Sequence, residues 1–523
     1  MVEVIDPKVE IVGFGPAVLK KDGSLMTPDE FVYGAAQVTY KDVNAMTEFL
    51  SLTQETDLRE KVKKGLIKVA GSGHASMATT PGFWAIIGGN SSKFIDSIFT
   101  GARFGSSLMP SGRRVPINEE SILVPKGIRE NSPLVERLYV EASQKNIRVY
   151  QELQTRGVST QEASKIVQYG HKGGGFVFMP LETLVYFARE AEANPNWMPL
   201  EGREIIAQFE DFAHANGMGT TYEARKAAPR TGCTNPNIFH NRKDYTTDVL
   251  EDHPTVVEES VLLDSNVDRS SIRDERVKRY LEKRDEIFSS PDRIKNEWRG
   301  LLRELEEIVA DFNLSLRFKV ASNIPWRVWG EVKRHRTLPQ TTESVYSAAR
   351  RATENIFSQE GIIDYEKVLS IPDSVKKDEM NLAIWIEAFS NSIFCYNQLL
   401  SMGVEESDAI AVVPRGLKMI NVKDFDFYNL TLGYGSLRLC TTAEPEMRGI
   451  TQEEMGLVRP HIPEGLSKLI FPKCGYVGFC PEMKSCGKVT TLVPGYDENV
   501  HKQLTSDRVK YIEDRLNHFS KPL

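Results

Sequence analysis

The sequence predicts an α+β protein built from two similar halves. Three observations lead to this prediction: a faint internal repeat, long amphipathic helical segments, and a composition ordinary for globular domains, with 41% apolar and 26% charged residues. The chain of 523 residues is long for one domain, and its length favours roughly two to four domains.

The internal repeat pairs YQELQTRGVSTQEASKIV (150–167) with YNQLLSMGVEESDAIAVV (396–413), and equivalent positions lie 246 residues apart. Each copy has the pattern of a helix end, a Gly–Val stop and a second helix. In the second copy, apolar residues recur every three or four positions from Asp378 onward, as one buried helix face requires. Chance similarity between two helix–turn segments is the alternative interpretation.

A densely charged stretch separates the two copies. It predicts helices at 273–287 and 291–311, the second one capped by Ser290 and begun by Pro291. We therefore predict four segments: a first half at 1–245, a charged helical linker at 246–290, a second half at 291–460 and a tail at 461–523.

The overall composition argues against several classes of protein. A pI near 5.9 does not fit a protein that binds nucleic acid through a wholly basic surface. The sequence has no run of about 18 apolar residues, so we expect no membrane span. Its start lacks the pattern of a secretion signal, and its six cysteines do not suggest a disulfide scaffold. These features predict a cytoplasmic location.

One short segment, EVKRHRTLPQTTESVYS at 331–347, concentrates Lys333, Arg334, His335 and Arg336 in a chain of net charge −7. A solvated basic patch is one interpretation of such a run. The other is an anion site for a phosphate or a cofactor, since guanidinium groups make charge-assisted bonds to phosphate oxygens. The run alone does not decide between them.

The order Arg-His-Arg, seven residues, Ser, at 334–344, resembles the signature of the flavin-dependent thymidylate synthases. A second motif, LRLCTTAEPEMR at 437–448, resembles a helix segment of that family, with departures at Glu444 and Met447. The resemblance implies reductive methylation of dUMP to dTMP with methylenetetrahydrofolate, FAD carrying hydride from NADPH. It also implies that each half is a twisted mixed or antiparallel sheet packed with long helices.

The first half resembles the same family at positions where the second half departs from it. Ser111-Gly112-Arg113 is similar to the loop with which the family binds dUMP, whereas the second half has Tyr346 two residues after Ser344. A basic position of the family is Lys165 in the first half and Ile410 in the second. The resemblance therefore implies a tandem pair with one composite site.

The resemblance assigns a role to each residue of that composite site. Arg334 and His335 would be catalytic. The residues expected at FAD are Arg334, His335, Arg336, His74 and Ser76. The residues expected at the substrate are Ser111, Gly112, Arg113, Lys165, Arg203, Glu331, Ser344 and Arg448. Glu331 departs from the glutamine that the family prefers.

Three cysteines of the tail, Cys474, Cys480 and Cys486, are spaced five and five. Zinc sites usually have shorter spacing and a fourth ligand, for which Cys440 or His461 are the nearest choices in the sequence. Free thiols in a packed tail are the alternative, so no metal is predicted and these cysteines stay weak candidates.

Two other functions remain open on sequence alone. One is a non-catalytic flavin- or nucleotide-binding paralogue of the family. The other is a metal-stabilised protein that uses the basic run on nucleic acid. For the synthase, we expect no membrane or nucleic-acid partner, and a homodimer that forms a pseudo-tetramer.

Overall fold

The computed structural model describes residues 2–40, 44–54, 58–102, 104–110, 116–193, 195–229, 239, 254–261, 267–357 and 363–519. The strands are β1 Glu3–Val4, β2 Asp6–Gly15, β3 Val18–Leu19, β4 Leu25–Met26, β5 Gly82–Asn90, β6 Ser106–Leu108, β7 Leu123–Val124, β8 Gly175–Pro180, β9 Thr255–Val261, β10 Leu316–Pro325, β11 Gln340–Thr342 and β12 Lys418–Asp426.

The α-helices follow in chain order. They are α1 Pro28–Tyr40, α2 Ala45–Leu52, α3 Arg59–Ala70, α4 Ser76–Thr79, α5 Phe94–Phe99, α6 Lys126–Asn131, α7 Pro133–Thr155, α8 Thr160–Ala163, α9 Leu181–Ala193, α10 Leu200–Ala215, α11 Gly219–Lys226, α12 Val267–Phe288, α13 Pro291–Phe312, α14 Trp326–Val332, α15 Val345–Phe357, α16 Asp373–Lys376, α17 Glu379–Ser401, α18 Glu406–Ala409, α19 Phe427–Leu430, α20 Tyr434–Arg438, α21 Pro445–Val458, α22 Glu464–Ser467, α23 Cys474–Val477 and α24 Glu498–Phe519.

The chain divides into two compact units that interleave in sequence. The first unit contains 1–245, 325–336 and 342–419, and the second contains 246–324, 337–341 and 420–523. The first break falls after residue 245. Beyond it, two stretches of the predicted second half are packed in the first unit. The four-segment division into sequence halves stays a prediction.

Each unit has one four-stranded sheet, and the two sheets have equivalent strand orders. The order is β2-β5-β8-β6 in the first unit and β9-β10-β12-β11 in the second. The pairs β2–β5, β5–β8 and β6–β8 are antiparallel, as is β9–β10. The predicted α+β class, with sheets packed against long helices, is confirmed. Duplication of one ancestral half stays a prediction.

The two copies of the sequence repeat also fold alike. Helices α7 and α17 both have 23 residues, and each is followed by a glycine with positive φ, +89° at Gly157 and +82° at Gly403. A four-residue helix and a 3₁₀ turn come next in both copies. The left-handed backbone at these two positions explains why the repeat retains glycine there.

Local capping signals position the helix starts as the sequence predicts. The Asp378 side chain accepts a hydrogen bond from the Asn381 backbone N–H (2.8 Å), so α17 begins where expected. Ser290 caps α13 in the same way, with Pro291 in the first turn. Both predicted charged helices are present, as α12 and α13.

Helices α7 and α17 pack against each other inside the first unit and form part of its core. A buried hydrogen bond runs from Ser392 Oγ to Asn146 Oδ1 (3.0 Å), and Arg156 binds the Asp378 carboxylate at the helix ends (3.0 Å). Tyr150 and Tyr396, which are equivalent in the repeat, are both buried. None of the described helices combines the length and apolarity needed to cross a bilayer.

Replacing Phe389 by alanine tests the core face of α17. Phe389 is 0% exposed, so Phe389→Ala leaves a cavity and should lower the free energy of unfolding by about 3–5 kcal/mol. Phe394→Ala on the same helix is the control, because Phe394 is 50% exposed and its loss should cost less than about 1 kcal/mol. Urea unfolding of both variants measures the difference; equal losses would contradict the described helix face.

Candidate functional site

The Arg-His-Arg run follows α14, and aromatic packing holds this helix beside α5 in the first unit. Trp326 donates its indole N–H to Ser97 Oγ (3.1 Å). The Trp326 ring also lies 4.3 Å from the ring of Tyr169 and 5.9 Å from that of Phe94, measured between centroids. This contact brings residues of the two sequence halves into one site.

A buried ion pair joins the two helices. Lys333 Nζ lies 3.3 Å from Asp96 Oδ1 and also donates to the Asp96 backbone carbonyl. The Lys333 side chain is 1% exposed. Burial lowers the pKa of Lys333 to about 8, although Asp96 favours its charged form.

Asp96 is shared with a second lysine. Lys93 Nζ lies 3.6 Å from Asp96 Oδ2, and Thr100 donates its hydroxyl to Oδ1 (2.5 Å). Burial by itself would raise the pKa of Asp96, but Lys333 and Lys93 outweigh it and hold that pKa well below its usual value. Asp96 is therefore a carboxylate at any physiological pH.

Two arginines complete what we call the cationic cluster: Lys93, Lys333, Arg327 and Arg415. Arg415 is 1% exposed, donates from Nε to the Val167 carbonyl (3.1 Å) and from Nη2 to the Ser164 carbonyl (2.7 Å). Burial lowers the pKa of Arg415 to about 10, with Arg327 contributing to the lowering. The Arg327 backbone N–H donates to the Arg415 carbonyl (2.8 Å).

Arg415 belongs to a crossing of two equivalent loops. Its backbone N–H donates to Val167, the Gly416 N–H donates to the Lys165 carbonyl (2.7 Å), and the Gly170 N–H donates to Ala411 (3.2 Å). These loops follow the 3₁₀ turns of the two repeat copies. His171 lies beyond the crossing; burial, followed by the charge of Arg415, holds its pKa well below the usual value, so its imidazole is neutral.

Two buried donors of α14 have no hydrogen-bond partner in the part of the chain that the structure describes. They are the Nε of Arg327 and the indole Nε1 of Trp329. Unsatisfied buried donors are rare in native proteins and call for an explanation such as a missing ligand. Both donors lie on the helix that precedes the Arg-His-Arg run.

The charges of the cluster do not balance. Burial lowers the pKa of Lys93; Asp96 then raises it, while Arg415, Arg327 and Arg334 lower it. One carboxylate thus acts there against several cations. Buried cations are stable only when paired, so the cluster is suited to an oxyanion such as a phosphate, which guanidinium groups bind through two parallel hydrogen bonds.

Comparison with known proteins points to one family. Residues 313–464 match the family model described as thymidylate synthase complementing protein. Part of the chain is 32% identical over 123 residues to the flavin-dependent thymidylate synthase of Pyrococcus furiosus, and 29% identical over 122 residues to that of Pyrococcus abyssi. Each alignment covers 22% of this chain and 49% of the relative.

Over this segment the chain is similar to the flavin-dependent thymidylate synthase family. The match spans about half the length of these curated relatives. Solved structures of the UMP/dUMP methylase PolB from Streptomyces cacaoi, bound with 5-Br dUMP or 5-Br UMP, are 16% and 17% identical. Their TM-scores are 0.34 and 0.32, with 45% and 44% of this chain covered and 100% and 99% of theirs. Likeness at this level adds nothing to the assignment.

The synthase-family signature is divided between the surface and the interior. Arg334 is exposed, whereas His335 is buried and its backbone N–H donates to Val332 (3.0 Å). Arg336 donates from Nε to the Ala102 carbonyl (3.0 Å), and its pKa is lowered by burial and then by Arg334. Glu331 is buried on α14.

Ser344 and Lys165 are also in the first unit and buried. Ser344 caps α15, because its Oγ accepts from the Ser347 backbone N–H (3.1 Å). Lys165 is 1% exposed in the loop crossing that holds Arg415, and its equivalent in the second copy, Ile410, is buried too. Lys165 and the signature thus lie in the same unit, and the composite site that they were predicted to form stays a prediction.

Four predicted residues fall outside this arrangement. His74 and Ser76 are exposed at α4, and the contacts that join α5, α14 and the crossing loops do not involve them. Arg203 lies on α10, where its charge acts on Asp408, whose pKa burial raises to about 6. Asp408 lines a separate small pocket. Arg448 is in the second unit, in the first turn of α21.

The predicted dUMP loop, Ser111-Gly112-Arg113, lies outside the described residues. The residue before it, Pro110, is described, and its carbonyl accepts a hydrogen bond from Lys93 Nζ (2.6 Å).

Sequence reasoning missed Lys93, Asp96, Arg327 and Arg415. A usable signal existed for the first two, since KFIDSIF sets two opposite charges three residues apart in an otherwise apolar helix. Charges inside such a stretch indicate buried partners. Arg415 likewise follows an apolar stretch, AVVP. Its position beside Val167, however, depends on the crossing of two loops in the folded chain.

The depressed pKa of Lys333 predicts a specific pH dependence. Unfolding restores the ordinary lysine pKa near 10.4, so between pH 8 and that value the unfolded chain binds more protons than the folded one. The free energy of unfolding should therefore rise with pH in this window, by at most about 1.4 kcal/mol per pH unit. Urea unfolding at a series of pH values measures it.

Lys333→Met should remove that rise. The partly exposed Lys145, which pairs with Glu387 on α17, provides the control, and Lys145→Met should retain it. Tyrosines and cysteines that titrate in the same range are common to all three proteins, so the difference between curves isolates Lys333. Identical pH profiles for wild type and Lys333→Met would show that the folded pKa of this lysine is not depressed.

Proposed function

We propose that the protein is a flavin-dependent thymidylate synthase that converts dUMP to dTMP with methylenetetrahydrofolate and NADPH. The single observation that carries the proposal is the cationic cluster with its two unpartnered donors, placed beside the family signature. The two curated relatives cited above carry this name.

In this proposal, the phosphate of dUMP is the anion that the cationic cluster lacks. Arg327 offers Nε, which has no partner among the described residues. Arg415 adds positive charge but is already held by two backbone carbonyls. A bound dianion would offset the mutual repulsion of the four cations. Arg113, Gly112 and Ser111 would contribute from the adjoining loop.

The exposed end of the signature suits the cofactor. Arg334 and Arg336 would hold the pyrophosphate of FAD through charge-assisted hydrogen bonds, with His335 beside them. When bound, the flavin supplies the hydride-transfer chemistry. Lys333 and Asp96 are positioning residues here, because their ion pair orients the turn that carries Arg334. The residues present therefore fit an anionic cofactor and an anionic substrate.

A tandem organisation would account for the unequal copies. In the second half, Ile410 is buried. Tyr346 follows Ser344 by two residues, as Arg113 follows Ser111 in the first half, and it donates its hydroxyl to the Trp197 carbonyl (2.5 Å). These two residues remove dUMP contacts that the family resemblance would place there. We propose that one composite site survives from each pair of equivalent sites in the two halves. We also propose that the assembled enzyme is a homodimer.

The same two losses favour a second candidate function, a flavin- or nucleotide-binding paralogue without synthase activity. An absorbance spectrum before and after adding FAD, followed by a dUMP titration, tests binding. Release of tritium from 5-tritiated dUMP, with methylenetetrahydrofolate and NADPH present, then tests catalysis. Binding of either ligand without tritium release would select the paralogue; failure to bind both flavin and dUMP at micromolar concentration would exclude both candidates.

Arg327→Met distinguishes a functional arginine from a structural one. Removing this cation relieves repulsion inside the cluster, so the unliganded protein should be as stable as wild type or more stable. The dUMP affinity should fall roughly 10- to 100-fold, since a hydrogen bond to a charged group contributes about 1.5–3 kcal/mol.

The exposed Arg137 on α7 provides the control, and Arg137→Ala should change neither property. Thermal unfolding and the dUMP-dependent shift of the flavin band give the two readouts. A destabilised Arg327→Met variant that binds dUMP normally would assign Arg327 to the fold and leave the phosphate site without its main donor.

A further inference from the structure

The tail cysteines, which were weak metal candidates on sequence, are not assigned a ligand. Cys474 and Cys480 are buried free thiols, and Cys486 is an exposed one. Among the described residues, no group of three or more His, Cys, Asp or Glu side chains could hold a metal ion. A different feature of the same unit, a pocket lined by aromatic and basic side chains, does suit a ligand.

This pocket lies in the second unit, between helix α13, helix α24 and the chain that follows α23. Its volume is about 170 Å³, and it opens to solvent. Every residue that lines it is outside the segment 313–464 that matches the family model. The proposed synthase function therefore leaves the pocket without a role.

Helix α24 contributes one face to the pocket. Leu504, Asp507, Arg508 and Tyr511 follow each other at intervals of three, one and three residues, the spacing of neighbours on a helix surface. Leu504 is buried, whereas Tyr511 is 44% exposed, so this face leads from the interior of the unit to its surface. An ion pair between Lys295 Nζ and Asp507 Oδ2 (2.8 Å) holds α24 beside α13.

Three aromatic side chains, Trp298, Phe479 and Tyr511, form the wall of the pocket. The ring centroids of Trp298 and Phe479 are 5.3 Å apart in an edge-to-face arrangement, and Phe479 is buried. Such rings offer a surface on which a planar ligand can stack. An apolar cavity of about 150 Å³ is enough to take up benzene, so this pocket has room for one aromatic ring system.

Arg299 is held at the pocket by stacking. Its guanidinium carbon lies 4.7 Å from the ring centroid of Trp298 and 4.3 Å from that of Tyr511. Stacking occupies the faces of a planar guanidinium and leaves the N–H groups at its edge available to an oxyanion. Arg299 can therefore bind a phosphate while it keeps its place between the aromatic side chains.

The charges around the pocket favour an anion. Lys295 is paired with Asp507, but no carboxylate in the described part of the chain forms an ion pair with Arg299 or Arg508. Arg508 instead donates from Nη1 to the Pro481 carbonyl (3.3 Å). Two cations without a carboxylate, beside three aromatic rings, suit a ligand that combines a planar ring with negative charge.

We propose that this pocket binds a nucleotide, with its base against the aromatic wall and its phosphate at Arg299. A long nucleic-acid strand suits the chain less well, because the net charge of −7 repels a polyanion and the pocket has room for one ring system. The cationic cluster lies in the first unit, so this inference does not depend on the proposed synthase activity.

Isothermal titration calorimetry of the full-length protein with ADP, adenosine and pyrophosphate tests the proposal. ADP should bind more tightly than either of the other two compounds, because it alone offers both a base and a phosphate. Pyrophosphate binding as tight as that of ADP would show that the rings contribute nothing and would overturn the proposal. Absence of ADP binding up to about 1 mM would overturn it as well.

Arg299→Met removes the guanidinium and keeps a long apolar side chain beside the rings. The ADP affinity should fall roughly 10- to 100-fold, whereas the adenosine affinity should not change. Arg303→Met is the matched control, because Arg303 is exposed one turn further along α13 and does not line the pocket. An equal loss of ADP and adenosine binding in Arg299→Met would assign this arginine to packing and contradict the phosphate contact.

Tyr511→Ala tests the aromatic wall separately. It should weaken ADP binding by about 5- to 100-fold, as the loss of a stacking ring does, and leave pyrophosphate binding unchanged. Thermal unfolding of the variant shows whether α24 keeps its place. A folded Tyr511→Ala protein that binds ADP like wild type would remove the base from the pocket.

The proposed flavin site would also accept an adenine nucleotide, so Arg334→Ala separates the two sites. This variant should take up less FAD but retain the ADP binding that Arg299→Met weakens, and Arg299→Met should retain FAD uptake. Loss of ADP binding in Arg334→Ala alone would place the nucleotide in the first unit and overturn the proposal. Tighter binding of a single-stranded oligonucleotide than of ADP would overturn it in favour of a nucleic-acid strand.

Discussion

The buried ion pair between Lys333 and Asp96 is the interaction on which the candidate site depends. It joins helices from the two sequence halves, 237 residues apart along the chain. Removing two charges from water costs several kcal/mol per ion, and good geometry with further hydrogen bonds is needed to offset it. Asp96 has that support, because Lys93 and Thr100 also bind its carboxylate. The position of α14, and so of the Arg-His-Arg run, follows from this pair.

The same arrangement explains why the site is short of negative charge. One carboxylate neutralises part of a cluster that Arg327 and Arg415 keep strongly positive. A protein selected only for stability would replace such cations with apolar residues of similar size. Their presence in the interior, beside donors that have no partner among the described residues, is the basis for proposing a ligand. The unequal losses in the two copies fit this view, since one complete set of contacts is enough for one site.

Much of the local structure could be predicted from sequence because its causes are local. The side chains of Asp378 and Ser290 cap helices by accepting hydrogen bonds from backbone N–H groups at most three residues further along the chain. The turns at Gly157 and Gly403 each depend on the left-handed backbone conformation of one glycine. The site was predicted only where motifs are contiguous. Arg415 was missed because it is surrounded by two loops that cross, and these loops lie about 250 residues apart in the sequence. The periodicity of apolar residues does not indicate contacts over such a separation.

The basic run shows why charge patterns are hard to interpret one residue at a time. Helix α14 ends at Val332, so the next four side chains leave a turn in different directions. Lys333 and His335 are 2% and 8% exposed, whereas Arg334 and Arg336 are exposed. The solvated-patch interpretation therefore fits Arg334 and Arg336, whereas the anion-site interpretation stays a prediction. Lys333 is paired internally with Asp96, and the charge of Arg334 is left at the solvent edge, where it is available to an anion. Alternate residues of the run therefore either pack in the protein interior or lie at the surface that we propose binds the ligand.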